Sequence, residues 1–254
     1  MLVYKISAAR KPGRDEEQKE AFDGLLGAYR LDGHILGREL TTAHQERKLE
    51  AYLLVPAADA FYPGFINGWI GKSLERLKNA GLSKPRIVPI GRDRGETEAC
   101  ACADPSALIL FTTYVQLQSP VRCGDCFLPL PLYRLPRFGS GEFVEVIAWA
   151  DDYKACDSLF MNSATGERFG YREMSRIDSS LSRRGREICK HFENGTGKPT
   201  YYYLYRYYGR SAEAENARTC PGCGGQWLLS DRWNLFDFRC DTCRLVSNIA
   251  PSLK

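Results

Sequence analysis

Apolar and polar positions alternate between two periods along the first 115 residues, and the switches mark successive elements. LVYKI (2–6) has the composition of a strand. From about Asp15 the spacing lengthens, and Phe22, Leu25, Leu26 and Tyr29 fall on one stripe of a helix. Asp15 to Glu17 place negative charge at its N-terminus, where the helix dipole favours it, and Gly33 stands where the chain can leave the helix. Residues 35–42 and KLEAYLLV (48–55) predict two strands with a polar turn between them. A second helix is expected over about 64–80, striped by Ile66, Ile70, Leu74 and Leu77, with Gly81 at its end. PRIVPI (85–90) and ALILFTTYV (107–115) read as further strands, separated by a polar loop over 91–106. The order β-α-β-β-α-β predicts a ferredoxin-like α/β sandwich with one extra strand.

Beyond residue 116 the pattern changes. Prolines at 120, 129, 131 and 136 exclude a helix and predict an extended connector laid over a surface. EFVEVIAWADDYKACDSLF (142–160) is an amphipathic helix carrying Val146, Trp149, Tyr153, Cys156 and Phe160 at spacings of three and four. A second helix is expected between Arg172 and Phe192, where Gly185 falls inside the apolar stripe and predicts a close contact or a break. NGTGKP (194–199) is a loop, and YYYLYRYY (201–208) is a strand by composition. The expected organisation is α+β: an N-terminal ferredoxin-like domain (1–115), a helical middle segment with connector and Tyr-rich strand (116–210), and a C-terminal zinc ribbon (211–254).

The ribbon is predicted by CPGCGGQWLLSDRWNLFDFRCDTC (220–243). Cys220 and Cys223 form one knuckle, and Cys240 and Cys243 the other. Their spacing lies in the window for tetrahedral Zn2+. QWLLS (226–230) and LFDFR (235–239) are the expected strands, joined by a polar turn at 231–234. Four thiolates leave no position open for water, so the expected metal is structural. A second pair, Cys123 and Cys126, has no obvious mate. It reads as half of a second zinc site completed from Cys100, Cys102, Cys156, Cys189 or His191, as a redox pair, or as two reduced thiols. FLPLPL follows it where a redox motif should open a helix.

Composition narrows the classes. The chain has 254 residues, 44% hydrophobic and 26% charged, a globular balance without a run of 18 apolar residues. The N-terminus turns charged almost at once and carries no secretory pattern, so a cytoplasmic location without membrane contact is expected, where paired cysteines among the ten suggest metal binding or redox chemistry before structural disulfides. The formal net charge of +4 names no partner by itself. Three histidines (34, 44 and 191) are each structural or solvated, and no phosphate loop, nucleophile elbow or carboxylate pair is present. No enzyme and no small-molecule substrate are expected.

Basic and aromatic residues gather near the ribbon. Arg183, Arg184, Arg186 and Lys190 lie on the polar side of the second helix. Tyr201 and Tyr203 share a strand face, and Arg206, Arg210, Arg218, Trp227, Arg232, Trp233, Arg239 and Arg244 follow. Exposed tyrosines beside arginines can stack bases and neutralise phosphates, which makes nucleic acid the expected partner. The competing reading is a buried tyrosine face with arginines that solvate a surface, since acidic residues are interleaved.

The C-terminal half resembles an uncharacterised bacterial family of zinc-ribbon-containing proteins to which nucleic-acid binding is ascribed. The matching words are SPVRCGDCFLPLPLYRLP, YKACDSL, LSRRGREIC, TGKPTYYYLYRYYGRS, CPGCGGQW and FDFRCDTCRLVSNIA, over about residues 119–250. The resemblance implies that Cys123 and Cys126 belong to the family pattern. The alternative function is a protein-binding adaptor, such as an immunity protein that neutralises a bacterial toxin, for which modest charge and many aromatics are suited.

Overall fold

The computed structural model describes residues 1–94, 98–139 and 141–253, with only the backbone of Arg38 and Glu39. Residues 95–97 of the expected polar loop lie outside the described residues. The fold is α+β with two sheets. Where the hydrophobic pattern divides the chain into three consecutive stretches, its contacts divide it into two units whose segments alternate. One comprises residues 1–99, 117–119 and 129–144, the other 100–116, 120–128 and 145–254.

The first unit runs β1 (Leu2–Ala9), α1 (Asp15–Leu31), β2 (Leu36–His44), β3 (Lys48–Val55), α2 (Gly68–Asn79) and β4 (Arg86–Arg92). Its sheet has the order β2-β3-β1-β4, with every neighbouring pair antiparallel. The α1 stripe Phe22, Leu25, Leu26 and Tyr29 is buried with Ile6, Leu49, Leu53 and Val55 of the strands and with Ile70 and Leu77 of α2. Asn67 caps α2, its side chain accepting the Ile70 N–H at 2.9 Å. Gly33 holds φ +74° after α1, and a Cβ there would come within 2.5 Å of that of Leu132.

Leu132 belongs to the proline-punctuated segment, whose residues 129–144 are built into this unit. Tyr133 stacks on the buried His34 ring at 4.8 Å and donates its hydroxyl to Asp59. Arg134 grips the same carboxylate. Arg137 binds Asp32 through Nε at 2.7 Å and Nη2 at 2.9 Å, and Asp32 also contacts His34 Nε2 at 2.8 Å. His34 is therefore structural. Burial opposes ionisation at Asp32, but Arg137 and His34 outweigh it and hold the carboxyl below its usual range.

The second unit contains β5 (Leu108–Leu110), β6 (Val121–Cys123), α3 (Val144–Asn162, from Glu145 onward), α4 (Glu167–Ser175), α5 (Ser180–Thr196), β7 (Thr200–Tyr203), α6 (Ala212–Asn216), β8 (Leu228–Trp233), β9 (Phe236–Cys240) and β10 (Leu245–Ser247). Its mixed sheet has the order β6-β5-β7-β10-β9-β8. β7 pairs in parallel with both β5 and β10, and the remaining pairs are antiparallel.

Six details differ from the sequence expectation: α2 begins at Gly68, which leaves Ile66 ahead of it, and β8 continues through 231–233, where the ribbon turn is expected. The strand expected at 107–115 is only β5, and it joins this second sheet instead of extending the first. The extended connector contributes β6 to the same sheet. The helix expected at 172–192 is two helices, because Ser179 ends the run by capping α5: its hydroxyl oxygen accepts the Ser182 N–H. The strand expected at 201–208 is cut to β7: Leu204 N–H still bonds to Val246 O of β10, but the Tyr205 N–H turns to Met174 O and the Arg206 N–H to the Asn248 side chain. Gly185 does mark a close contact. A Cβ there would lie 2.2 Å from the Tyr202 ring and 2.8 Å from Trp149 Nε1.

Substituting Arg137 by alanine leaves the fully buried Asp32 carboxylate without its guanidinium and is expected to cost about 3 kcal/mol of unfolding free energy, read by urea denaturation. Asp32 has a depressed folded-state pKa, so its contribution is present above the unfolded value of about 4 and is lost as pH falls through the folded one. In the R137A variant the acid-induced loss should shrink.

Candidate metal centre and cationic helix face

A chain that turns sharply after two cysteines can aim both sulfurs at one point. Cys220 N–H donates to Gly225 O at 2.8 Å, and Gly224 N–H returns to Cys220 O at 2.8 Å, closing the first knuckle. Gly224 sits at φ +73°, which glycine adopts without steric cost. The second knuckle follows β9: Cys243 N–H faces Cys240 Sγ at 3.4 Å, and Arg244 takes φ +53°. The four sulfurs of Cys220, Cys223, Cys240 and Cys243 lie within 4.8 Å of one another. Cys223 Sγ and Cys240 Sγ are 3.7 Å apart, close to the roughly 3.8 Å edge of a tetrahedron with metal–sulfur bonds of about 2.3 Å. All four are free thiols. The set can bind a metal ion and suits a thiolate-preferring divalent one.

Hydrogen bonding and burial push two of these sulfurs in opposite directions. Cys223 accepts the Gly225 N–H and is pushed down to about 7, helped by its neighbouring thiols. Burial pushes Cys243 up to about 12.

Of the partners expected for Cys123 and Cys126, the structure brings in Cys100 and Cys102. These four sulfurs also lie within 4.8 Å of one another, with Cys126 and Cys100 at 3.5 Å. Cys156, Cys189 and His191 are not in the group. The cue in the sequence was CAC at 100–102, two cysteines one residue apart.

The expected partner-binding residues divide sharply. Tyr201, Tyr203 and Trp227 are buried at 2%, 8% and 3% exposure, so their rings are unavailable for stacking. Tyr201 donates to Asp241 and Tyr203 to Asn248, while Trp227 Nε1 donates to Arg218 O. Most arginines are committed internally: Arg206 and Arg218 to Glu215, Arg232 to Asp237, Arg239 to Asp241, Arg244 to Glu193 and Arg184 to Asp152. Arg218 also stacks over Phe238, its Cζ 4.2 Å from the ring centre. Trp233 Nε1 donates to Gly124 O. Arg183, Arg186, Lys190 and Arg210 stay exposed and, among the described residues, outside any ion pair. The first three recur on one outward stripe of α5, which Glu187 shares. Arg186 and Lys190 also line a cleft of about 380 Å³ with Glu193, Asp241, Cys243 and Arg244.

Comparison with known proteins adds relatives. Models for three domains of unknown function match the chain: DUF8589 over residues 4–91, DUF2310 over 102–205 and DUF8594 over 209–253. An uncharacterized protein of Haemophilus influenzae is 34% identical over 240 residues, covering 92% of each chain. The chain belongs to its family. A second uncharacterized protein of Haemophilus influenzae is 41% identical over 162 residues, 63% of this chain and 80% of its own length. A solved structure from Deinococcus radiodurans, described as an antibiotic biosynthesis monooxygenase, is 9% identical with a TM-score of 0.29 over 38% of this chain and 97% of its own. That likeness is too slight to argue from. Within this family member, the DUF2310 match contains Cys102, Cys123, Cys126 and the cationic helix α5, and the DUF8594 match contains the ribbon. No helix among the described residues is long and apolar enough to cross a membrane.

Replacing Cys240 by serine removes one ligand and is expected to open residues 211–254 to limited proteolysis while residues 1–92 stay intact. Mass spectrometry of the fragments reads both outcomes.

Proposed function

We propose that the chain is a non-enzymatic, zinc-stabilised binding protein that engages nucleic acid through α5. Zinc is the ion of choice for the ribbon because four thiolates in a tetrahedron match its preferred shell. An all-protein shell leaves no place for a reacting water, and the ion is structural. Ten free thiols favour a reducing, cytoplasmic setting. The first unit reads as a ferredoxin-like split, supported by its β-α-β-β-α-β connectivity and strand order.

One observation carries the nucleic-acid reading. Arg183, Arg186 and Lys190 stand uncommitted on one helix face, while the ribbon's arginines are held in internal pairs. The cleft beside them has its carboxylates, Glu193 and Asp241, already engaged by Arg244 and Arg239, which leaves Arg186 and Lys190 to face an incoming phosphate. The recognition is therefore of the phosphodiester backbone.

A protein-binding adaptor, such as an immunity protein directed at a bacterial toxin, is the second reading. It is favoured by Met161, Phe169 and Tyr208, which are about half exposed although large and apolar.

Fluorescence anisotropy with labelled RNA and DNA over a salt series tests the first reading. Binding should weaken as salt rises, and R183E/R186E/K190E should flatten the log–log slope by about 3. An unchanged slope in that variant, or a nuclease-resistant stoichiometric protein partner with no nucleic-acid shift, overturns it.

A further inference from the structure

We infer that Cys100, Cys102, Cys123 and Cys126 bind a second zinc ion, and that the tip of the ribbon hairpin docks on the loop that holds it. The inference goes beyond nucleic-acid binding and stands without it.

The backbone carries the argument. Cys123 N–H donates to Leu128 O at 3.0 Å and Phe127 N–H returns to Cys123 O at 2.9 Å, the same two bonds over the same spacing that close the ribbon knuckle at Cys220. The residue after the outer cysteine takes a left-handed conformation in all three Cys-x-x-Cys turns: Gly224 at φ +73°, Arg244 at +53° and Phe127 at +59°. Glycine does this freely, but a phenylalanine is strained there. The ring's packing against Phe111 at 5.2 Å and Phe236 at 5.6 Å explains a phenylalanine at this position. The turn shape itself is the one that points two sulfurs at one ion.

The other two ligands come from a tighter loop. Cys102 N–H faces Cys100 Sγ at 3.3 Å, as Cys243 N–H faces Cys240 Sγ in the ribbon. The burial alternates in the same sense, with Cys100 and Cys123 buried and Cys102 and Cys126 exposed. The set is all sulfur, with no carboxylate or imidazole, and so favours zinc over magnesium or calcium.

The second ion staples residues 100–102 to the end of β6, the edge of the six-stranded sheet opposite β8. The ribbon reaches back to this loop. Trp233 Nε1 and Asn234 Nδ2 both donate to Gly124 O, at 2.8 and 3.0 Å. Gly124 has no room for a side chain, since a Cβ would lie 2.8 Å from the Trp233 ring and 2.9 Å from Ala107 O.

The test is metal content per chain, by native mass spectrometry of protein purified without chelator. Two zinc ions are expected in the natural protein and one in C102S/C126S. C220S/C243S, which empties the ribbon, should keep the other. The natural protein gives a readout that needs no variant: iodoacetamide should spare the exposed Cys102 and Cys126 until a chelator is added. One zinc per chain in the natural protein, or alkylation of Cys102 and Cys126 at the free-thiol rate in zinc-saturated protein, overturns the inference. Neither result touches the nucleic-acid reading, which is read by binding alone.

Discussion

The second unit twice brings four cysteine sulfurs within 4.8 Å of one another, and once ionised, sulfurs held that close repel unless a cation lies among them. The consequence reaches beyond a tail. The ribbon strands β8, β9 and β10 make up half of the six-stranded sheet, and β10 pairs directly with the tyrosine strand β7. Phe236, Phe238, Leu245 and Val246 are fully buried in that sheet's core. A metal clamp at Cys220, Cys223, Cys240 and Cys243 would thus act on a sheet whose other strands begin at residue 108. A metal ion held by the four cysteines would complete a core that the ribbon's own short apolar runs do not fill alone.

The same constraint explains where the positive charge goes. A divalent ion in four thiolates carries a net charge of about −2. With both cysteine groups loaded, eight thiolates and two ions cancel the chain's formal +4. Arginines near the ribbon accordingly serve as internal mortar. Arg239 pairs with Asp241 and lies 4.9 Å from the Trp233 ring centre, and Arg244 ties the second knuckle to Glu193 of α5. A metal-loaded chain near neutrality has no long-range pull on a polyanion, so any such binding depends on a local face. That is why three uncommitted cations on α5 weigh more than the arginines held in ion pairs around the ribbon.

The ribbon cysteines were legible because a metal shell imposes a spacing that survives in one dimension. So were α1 and α2, whose apolar stripes have a clear period, and the strands of the first unit, legible by composition. The mates of Cys123 and Cys126 are not legible in the sequence, since a site assembled across more than twenty residues fixes no spacing and leaves five candidates equivalent. Between the two readings of Tyr201 and Tyr203, exposed or buried, the sequence does not choose, for a different reason. Strand composition does not say whether one face or both are covered, and here Trp149 and Ser182 lie on one side while Phe111, Trp233 and Phe236 lie on the other. The long helix at 172–192 failed because Ser179 offers its oxygen to the backbone, a local bond that outweighs an unbroken apolar stripe.

Gly185 ties the placement of α5 to the strand beneath it. Only a residue without a side chain lets α5 settle on Tyr202, and that depth of approach sets where the next turns of the helix emerge. Arg186 and Lys190, one and five residues on, are thereby delivered to the rim of the cleft that Cys243 and Arg244 close from the ribbon side. β7 lies beneath the helix and β10 beside β7, so the position of the cations and the position of the knuckle are set by the same strand pair. A loss of register at β10 would move the knuckle and its Arg244–Glu193 tie away from α5 together, and the cleft would lose one wall while the helix kept its charges.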